Sequence, residues 1–185
     1  MGQLRAVAPA ALLVGLLAPR EALLREAEAL LVERHGPVAG RSPVWPFTFT
    51  RYYEPEMGPD LLRQFLYFRN GIDPAALPDA KLATQELERR LAEAHALPGA
   101  PDRPVNLDPG YVTLAKVVLA STKDHLHRIY LRDGIFAEVT LHFKGEAYQS
   151  FPWTYPDYRT EPYHAFFREV RAAVRGLACP EEGPR

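Results

Sequence analysis

The sequence predicts an α+β fold, in which a mainly antiparallel sheet with a β-hairpin in its C-terminal half packs against about four helices. Two observations support this class. Strand-like and helix-like apolar patterns follow one another irregularly along the 185 residues. In addition, Asp133-Gly134 separates two strand-like runs, which is the strongest short-range signal for a hairpin. The length predicts one domain over 1–185, with flexible tails at 1–9 and 178–185.

The N-terminal half is predicted to alternate strands and helices. The continuous apolar run from Ala11 to Ala18 predicts a strand covered on both faces, although with Arg5 before it the run also has the outline of a signal peptide. The further predicted elements are a helix at 20–35, a strand at 46–53, a helix from Pro59 to Asn70-Gly71 and a helix at 79–95.

The C-terminal half is predicted to contain a strand or turn at 105–111, an apolar segment at 112–120, the hairpin and a last helix at 161–176. Asp108-Pro109-Gly110 is typical of a turn. A two-residue hairpin turn sets Arg132 opposite Ile135, and the same register sets Ile129 opposite Glu138. Alternation then predicts Arg128 on one face of the hairpin, with His127 and Glu138 together on the other.

Composition narrows the function classes. The net charge of −1 gives no global field that would attract nucleic acid or anionic lipid, so neither a nucleic-acid nor a membrane partner is expected. The single Cys179 excludes intrachain disulfides and is compatible with a cytoplasmic location. No P-loop, dinucleotide-binding glycine motif, H-E-x-x-H or G-x-S-x-G occurs, and the sequence identifies no cofactor.

The candidate site lies in 106–141, where titratable residues interrupt the best-formed apolar runs. His127 and Glu138 form a predicted proton-transfer pair, with Asp108 as a further candidate catalytic carboxylate. Between 111 and 132 basic side chains outnumber acidic ones, which favours a phosphate or carboxylate ligand held by Lys123 and Arg128. The same face could also be an ordinary solvated surface.

Other side chains complete the predicted site. Asn106 and Tyr111 flank Asp108 and are expected to border the pocket, while Trp153 and Tyr155 offer rings that could stack on a base or cap the core. A competing hypothesis uses His125, His127 and His142 as ligands of a metal ion.

Seven segments carry a family resemblance. The four in the C-terminal half are N-L-D-P-G-Y at 106–111, T-K-D-x-x-H-R-I-Y-L at 122–131, G-I-F-A-E-V-T-L at 134–141 and P-W-T-Y-P-D-Y at 152–158. The other three are V-G-L at 14–16, Y-Y-x-x-E-M-G at 52–58 and K-L-x-T-x-E-L-E at 81–88. Together they resemble a bacterial family of unknown function, some of whose members are labelled GTP-binding proteins. The family pattern that this resemblance implies includes positions matching His127, Arg128 and Glu138, but not His125 or His142, which weakens the three-histidine metal hypothesis.

The leading hypothesis is a cytoplasmic domain that binds a phosphorylated small molecule such as a nucleotide, with Lys81 and Glu86 bordering the same pocket. The alternative is a non-enzymatic interaction or assembly module, for which a homo-oligomer is compatible with the sequence. A third hypothesis is a metal-dependent hydrolase.

Overall fold

The computed structural model describes residues 2, 3, 7, 10–97 and 101–178, so Cys179 and most of the predicted tails lie outside it. The helices of this part of the chain are α1 (Glu21–His35), α2 (Glu54–Met57), α3 (Leu77–Ala94) and α4 (Glu161–Ala178). Its strands are β1 (Ala10–Ala18), β2 (Val38–Arg41), β3 (Trp45–Pro46), β4 (Leu62–Ile72), β5 (Asn106–Val112), β6 (Lys116–Ser121), β7 (Ile129–Arg132), β8 (Ile135–Lys144) and β9 (Ala147–Ser150).

The strands form one antiparallel sheet in the order β2-β4-β1-β5-β6-β8-β7, with β3 paired to β4 and β9 to β8. Helices α1 and α3 pack with one face of the sheet, and α4 packs with the other. The predicted α+β class is therefore confirmed. Among the described helices, none is both long and apolar enough to cross a membrane.

Strand β1 lies near the middle of the sheet, between β4 and β5, as its unbroken apolar run predicts. Leu12, Val14 and Leu16 contribute to the core under α1 and α3, whereas Ala11 and Leu13 contribute to the core under α4. A strand buried on both faces needs apolar side chains at successive positions. The run that resembles a signal peptide in outline is thus a central strand of the fold.

The helix predicted from Pro59 to Asn70-Gly71 is wrong, because this segment forms strand β4. Its apolar positions Phe65, Leu66 and Phe68 are spaced as on a helix, but β4 is covered on both sides: Leu66 and Phe68 face α1, and Phe65 faces α4. A strand with two buried faces loses the alternating pattern, and a short apolar run then cannot be told from a helix by its spacing.

The strand predicted at 46–53 is also wrong beyond its first residue, since only Trp45–Pro46 pairs with β4. The alternating residues that suggested it instead serve a small separate core. Phe47 packs there with Leu17, Met57 and Leu61. The rest of the segment is a loop over the end of the sheet.

The hairpin turn is confirmed, but its register is wrong beyond the first pair. Asp133 and Gly134 have φ of 53° and 74°, and Arg132 pairs with Ile135. A bulge at Leu131 then shifts the ladder by one, so that Ile129 faces Ala137 instead of Glu138. A shift of one residue moves side chains to the other face. The predicted separation of Arg128 from Glu138 consequently does not occur.

The turn predicted at Asp108-Pro109-Gly110 is wrong as well, because all three residues lie in β5, where Pro109 pairs with Val14. The ladder between β5 and β6 begins only at Gly110, opposite Leu119. Pro109 has no N–H to donate, which suits a position where the ladder to a neighbour stops. From this point β5 and β6 diverge, and a cleft opens beside them.

Candidate functional site

A cavity of about 610 Å³ opens where β5 and β6 separate, and most of the predicted site residues meet there. This cleft is walled by the loop after β3, by β4, β5, β6 and β8, by α3 and by the segment before α4. Its volume falls in the range of small-molecule sites. The charged residues that line it are Arg63, Lys81, Arg103, Asp108, Lys123, Arg128, Glu138 and Asp157.

The floor of the cleft is built around Arg63 of β4, whose side chain is only 3% exposed. Its Nη1 lies 3.5 Å from Asp108 Oδ2, and its Nη2 lies 3.7 Å from Asp157 Oδ2. The guanidinium also packs over the ring of Phe47, 5.0 Å from the centroid. Gly15 permits this arrangement, because a Cβ there would lie 3.2 Å from Nη1.

The two carboxylates of the floor have pKa values that are shifted in opposite directions. Burial acts to raise the pKa of Asp108, but Lys81, Arg63 and the hydrogen bond from Asn106 outweigh it, and the pKa is lowered. For Asp157 burial prevails over the attraction of Arg63, so its pKa is raised. One carboxylate is therefore held firmly ionised, and the other is closer to taking up a proton.

Helix α3 supplies a second set of polar groups to the floor. Lys81 Nζ donates to the carbonyl of Leu107 at 3.1 Å and lies 3.7 Å from Asp108 Oδ1. Glu88 lies seven positions after Lys81, on the same face of the helix. It accepts from the Leu107 N–H and pairs with Arg103 Nη2 at 3.1 Å. These bonds tie α3 to β5 along the edge of the cleft.

At the rim, Arg128 is held by the protein itself. Its Nε donates to Glu138 Oε2 at 2.8 Å, and its Nη1 donates to the hydroxyl of Ser121 at 2.7 Å and to the carbonyl of Lys123 at 3.0 Å. Its Nη2 donates to the hydroxyl of Tyr155 at 2.7 Å. Four bonds use most of the five N–H groups of a guanidinium. We call this cluster of Arg128, Glu138, Ser121 and Tyr155 the rim clamp.

His127 reaches Glu138 from outside the cleft lining, with 3.2 Å between His127 Nε2 and Glu138 Oε2. The predicted pairing of these two residues is therefore present, although the bulge gives Glu138 an additional partner in Arg128. Thr140 donates to the other carboxylate oxygen at 3.2 Å. Glu138 is 2% exposed, and the buried carboxylate has hydrogen bonds on both oxygens.

Lys123 stands apart from the other cations of the cleft. Its Nζ donates to the hydroxyl of Tyr52 at 2.7 Å and lies 4.6 Å from the centroid of that ring. Within the described residues, no carboxylate lies within salt-bridge distance of it. Lys123 is exposed at the mouth of the cleft, and its charge is available to a ligand.

The structure brings together seven of the predicted site residues in the lining of the cleft: Lys81, Asn106, Asp108, Lys123, Arg128, Glu138 and Tyr155. Tyr111 is not among them, because it follows Asp108 by three positions and strand alternation turns it to the opposite face, beside Leu77 and Ile135. Glu86 pairs with Arg89 on the exposed side of α3.

Trp153 lies outside the lining as well. Its ring stacks on His127 at 5.2 Å and on Phe151 at 4.8 Å, and its Nε1 donates to the carbonyl of Val139. The three histidines proposed as metal ligands do not converge, because these rings separate His127 from His142, which packs against Phe151. No group of three potential metal-ligating side chains occurs among the residues that the structure describes.

Sequence reasoning missed Arg63, Arg103 and Asp157. Arg63 was hidden by the assignment of β4 as a helix. Asp157 belongs to the P-W-T-Y-P-D-Y segment, where the aromatic residues drew attention away from the single carboxylate. A charged residue within a largely apolar segment, such as Arg63, which with Gln64 interrupts the segment between Leu62 and Phe65, is the signal that could have identified the floor.

A family model described as "Domain of unknown function (DUF4416)" matches residues 8–173. The match spans most of the 185 residues and confirms the expected resemblance to a family of unknown function. Searches of curated proteins and of solved structures each gave no significant match.

Proposed function

The chain belongs to the DUF4416 family, and we propose that its cleft binds a small phosphorylated molecule, with nucleotides such as GTP as the first class to test. The observation that carries the proposal is the excess of cationic groups in an aromatic-walled cavity. Among the residues that the structure describes, five basic side chains and three carboxylates line the cleft. Glu88 behind Arg103 offsets one more positive charge, and the cation that this part of the chain leaves without a carboxylate is Lys123.

The aromatic residues of the lining suit a ligand with a planar ring. Phe47, Phe49, Tyr52, Tyr53 and Tyr155 contribute to the walls. Aromatic walls contribute contact area, and a few polar groups then fix the orientation of the ligand. Of the two rings predicted to stack on a ligand, only Tyr155 lines the cleft.

The proposed division of roles differs from the one expected from the sequence. Lys123 binds the anion at the mouth, whereas Arg128 supports the wall, because four of its N–H groups are bonded to protein. A proton-transfer role for His127, Glu138 and Asp108 stays a prediction, as do a cytoplasmic location and a bacterial origin. A pH profile of any turnover measured later would test the three candidate catalytic residues.

The experiment is a thermal-shift titration with GTP, ribose 5-phosphate and inorganic phosphate. A ligand at about 100 times its Kd adds roughly 2.7 kcal/mol to the free energy of unfolding. We expect Lys123→Gln to weaken every phosphate-bearing ligand that binds. Lys144→Gln is the matched control, since Lys144 is an exposed lysine away from the cleft. Equal responses of the two variants would count against the proposal.

One observation favours the second candidate function, self-assembly. Strand β7 is at an edge of the sheet, and its flank carries exposed apolar side chains, with Leu126 99%, Ile129 70% and Tyr130 58% exposed. An exposed apolar edge strand can pair with another chain. Light scattering after size exclusion should then give a dimer that Ile129→Lys dissociates, and a monomeric wild type would eliminate this candidate.

A further inference from the structure

We infer that the floor of the cleft recognises a neutral group that presents a hydrogen-bond acceptor beside a donor, as the edge of a nucleobase or a pair of sugar hydroxyls does. The inference rests on the proposed binding of an anion at the mouth and adds the chemistry of the other end of the ligand. It follows from the unused hydrogen-bonding capacity of the floor and from the balance of its charges.

The donors of the floor are those of Arg63. Its two contacts to carboxylates, at 3.5 and 3.7 Å, are longer than an N–H···O hydrogen bond. Nε and Nη1 are buried without a hydrogen-bond partner among the described residues. Buried guanidinium N–H groups are ordinarily bonded. Arg63 therefore holds donors that an acceptor on a ligand can use.

The acceptors and a hydroxyl lie next to these donors. Asp108 Oδ2 accepts from Asn106 Nδ2 at 2.6 Å, whereas the one polar partner of Oδ1 among the described residues is Lys81 Nζ at 3.7 Å. The hydroxyl of Tyr158, in the same lining, is also buried and lacks a hydrogen-bond partner in the described part of the chain. An N–H or O–H of a ligand beside its acceptor would complete this set.

The charges of the floor exclude a second anion as the preferred group. Arg63 and Lys81 are balanced there by Asp108 and Asp157. A further full charge would be buried without a counter-charge, which is unfavourable. A neutral group with both a donor and an acceptor avoids this cost. The cleft thus has a neutral, hydrogen-bonding floor and a cationic mouth at Lys123.

Isothermal titration calorimetry with four probes tests the inference: inorganic phosphate, ribose 5-phosphate, GMP and guanosine. We expect at least one of the two larger phosphates to bind about tenfold or more tightly than inorganic phosphate, which corresponds to one well-made buried hydrogen bond. A gain that begins with ribose 5-phosphate assigns the floor to sugar hydroxyls. A gain that appears only with GMP assigns it to the base.

Two variants separate the ends of the cleft. Asp108→Asn should abolish the gain in affinity of the larger phosphates over inorganic phosphate. Lys123→Gln should lower the affinity for all three phosphates by a similar factor and leave the affinity for guanosine unchanged. Asp133→Asn, an exposed aspartate at the hairpin tip, is the matched control. If Asp108→Asn does not fold, Arg63→Lys takes its place, because it keeps the charge but removes the guanidinium donors.

The failures of the two proposals are distinguishable. Equal affinities for the three phosphates, or an Asp108→Asn variant that retains the full gain, would overturn the inference about the floor and leave the anion proposal standing. Absence of binding by all four probes would overturn both.

Discussion

The floor and the rim clamp of the cleft each contain a buried arginine beside carboxylates, and the protein bonds the two arginines differently. Arg128 is anchored by four hydrogen bonds that reach β8, the loop after β6 and the segment before α4. Arg63 has charge partners at 3.5 and 3.7 Å but no close hydrogen bond to either. Their side chains are 5% and 3% exposed, so burial does not explain the difference.

This difference in hydrogen bonding separates an arginine that supports the fold, Arg128, from one that can bind a ligand, Arg63. A guanidinium with four of its five N–H groups bonded to protein atoms, as in Arg128, fixes the elements that it bridges. One with spare donors can still bind a ligand. Burial and charge alone would rank these two arginines as equals, and only the count of hydrogen bonds distinguishes them.

The largest expected effect is on stability, from Arg128→Met. The change removes the bonds of the rim clamp and leaves Glu138, 2% exposed, without its cation. Breaking a buried pair in this way costs about 3–5 kcal/mol. Urea unfolding would measure it, with Arg132→Met as control. Arg132 pairs with Asp79 and Asp133 at the exposed hairpin tip, and we expect little change there. Similar losses in the two variants would contradict the supporting role of Arg128.

Arg63→Met should give a smaller loss, which depends on pH. Without Arg63, which opposes the effect of burial, the raised pKa of Asp157 rises further, so between the unfolded and the folded pKa the folded state binds a proton that the unfolded state does not. Stability is then retained below the unfolded pKa of the aspartate and lost as the pH rises through the folded one.

The free-energy difference between wild type and Arg63→Met should therefore shrink as the pH is lowered from 7 towards 4. Urea unfolding at a series of pH values would measure this difference. Asp157→Asn in the same background is the control, because it removes one of the two carboxylates paired with Arg63 and should weaken the dependence to the part that comes from Asp108. A difference that stays constant with pH would show that Asp157 does not respond to Arg63.

Gly15→Ala tests the position of Arg63 from β1, the strand that neighbours β4. The added Cβ would lie 3.0 Å from Phe65 Cε1 and 3.2 Å from Arg63 Nη1, so both side chains must shift. We expect a loss of about 1–2 kcal/mol and weaker ligand binding. Gly176→Ala is the control, because a Cβ there meets nothing within 4 Å and alanine favours the helix. Thermal unfolding would measure the stability of both variants. If Gly15→Ala proved as stable as Gly176→Ala, the added Cβ would not perturb the floor, and the prediction would be wrong.

The smallest effect should come from Tyr155→Phe, which removes one of the four acceptors of Arg128. A single such bond is worth about 1 kcal/mol. Its counterpart is Tyr52→Phe, which removes the hydroxyl bonded to exposed Lys123 and should leave stability unchanged. Chemical denaturation would measure the loss of stability in each variant. A larger loss for Tyr52→Phe than for Tyr155→Phe would contradict the assignment of Tyr155 to the rim clamp and of Tyr52 to the mouth.

Much of the fold could be predicted from local patterns. The central strand β1, helices α1, α3 and α4 and the Asp133-Gly134 turn follow from apolar runs, stop signals and turn chemistry. Strand β4 could not be recognised, because burial on both faces removes the alternation that marks a strand. The bulge at Leu131 could not be foreseen either, because an extra residue in one strand leaves no local sequence signal.

The candidate site was predicted in part for the same reasons. Asn106, Asp108, Lys123, Arg128 and Glu138 meet in one cleft, although the contact between Arg128 and Glu138 depends on the unforeseen bulge. The floor was missed, because Arg63 and Asp157 are 94 positions apart in the numbering and meet only through the order of the strands. Distant pairs of this kind require the topology.

The stacking of Trp153 gives the protein an internal optical reporter. Its indole lies on His127, whose Nε2 bonds to the Glu138 carboxylate in the wall of the cleft. The sequence has one other tryptophan, Trp45, which packs against Tyr163 near α4. In a Trp45→Phe background the tryptophan emission comes from Trp153 alone. Movement of Glu138 when the cleft fills would alter that fluorescence, so occupancy could be followed without a label.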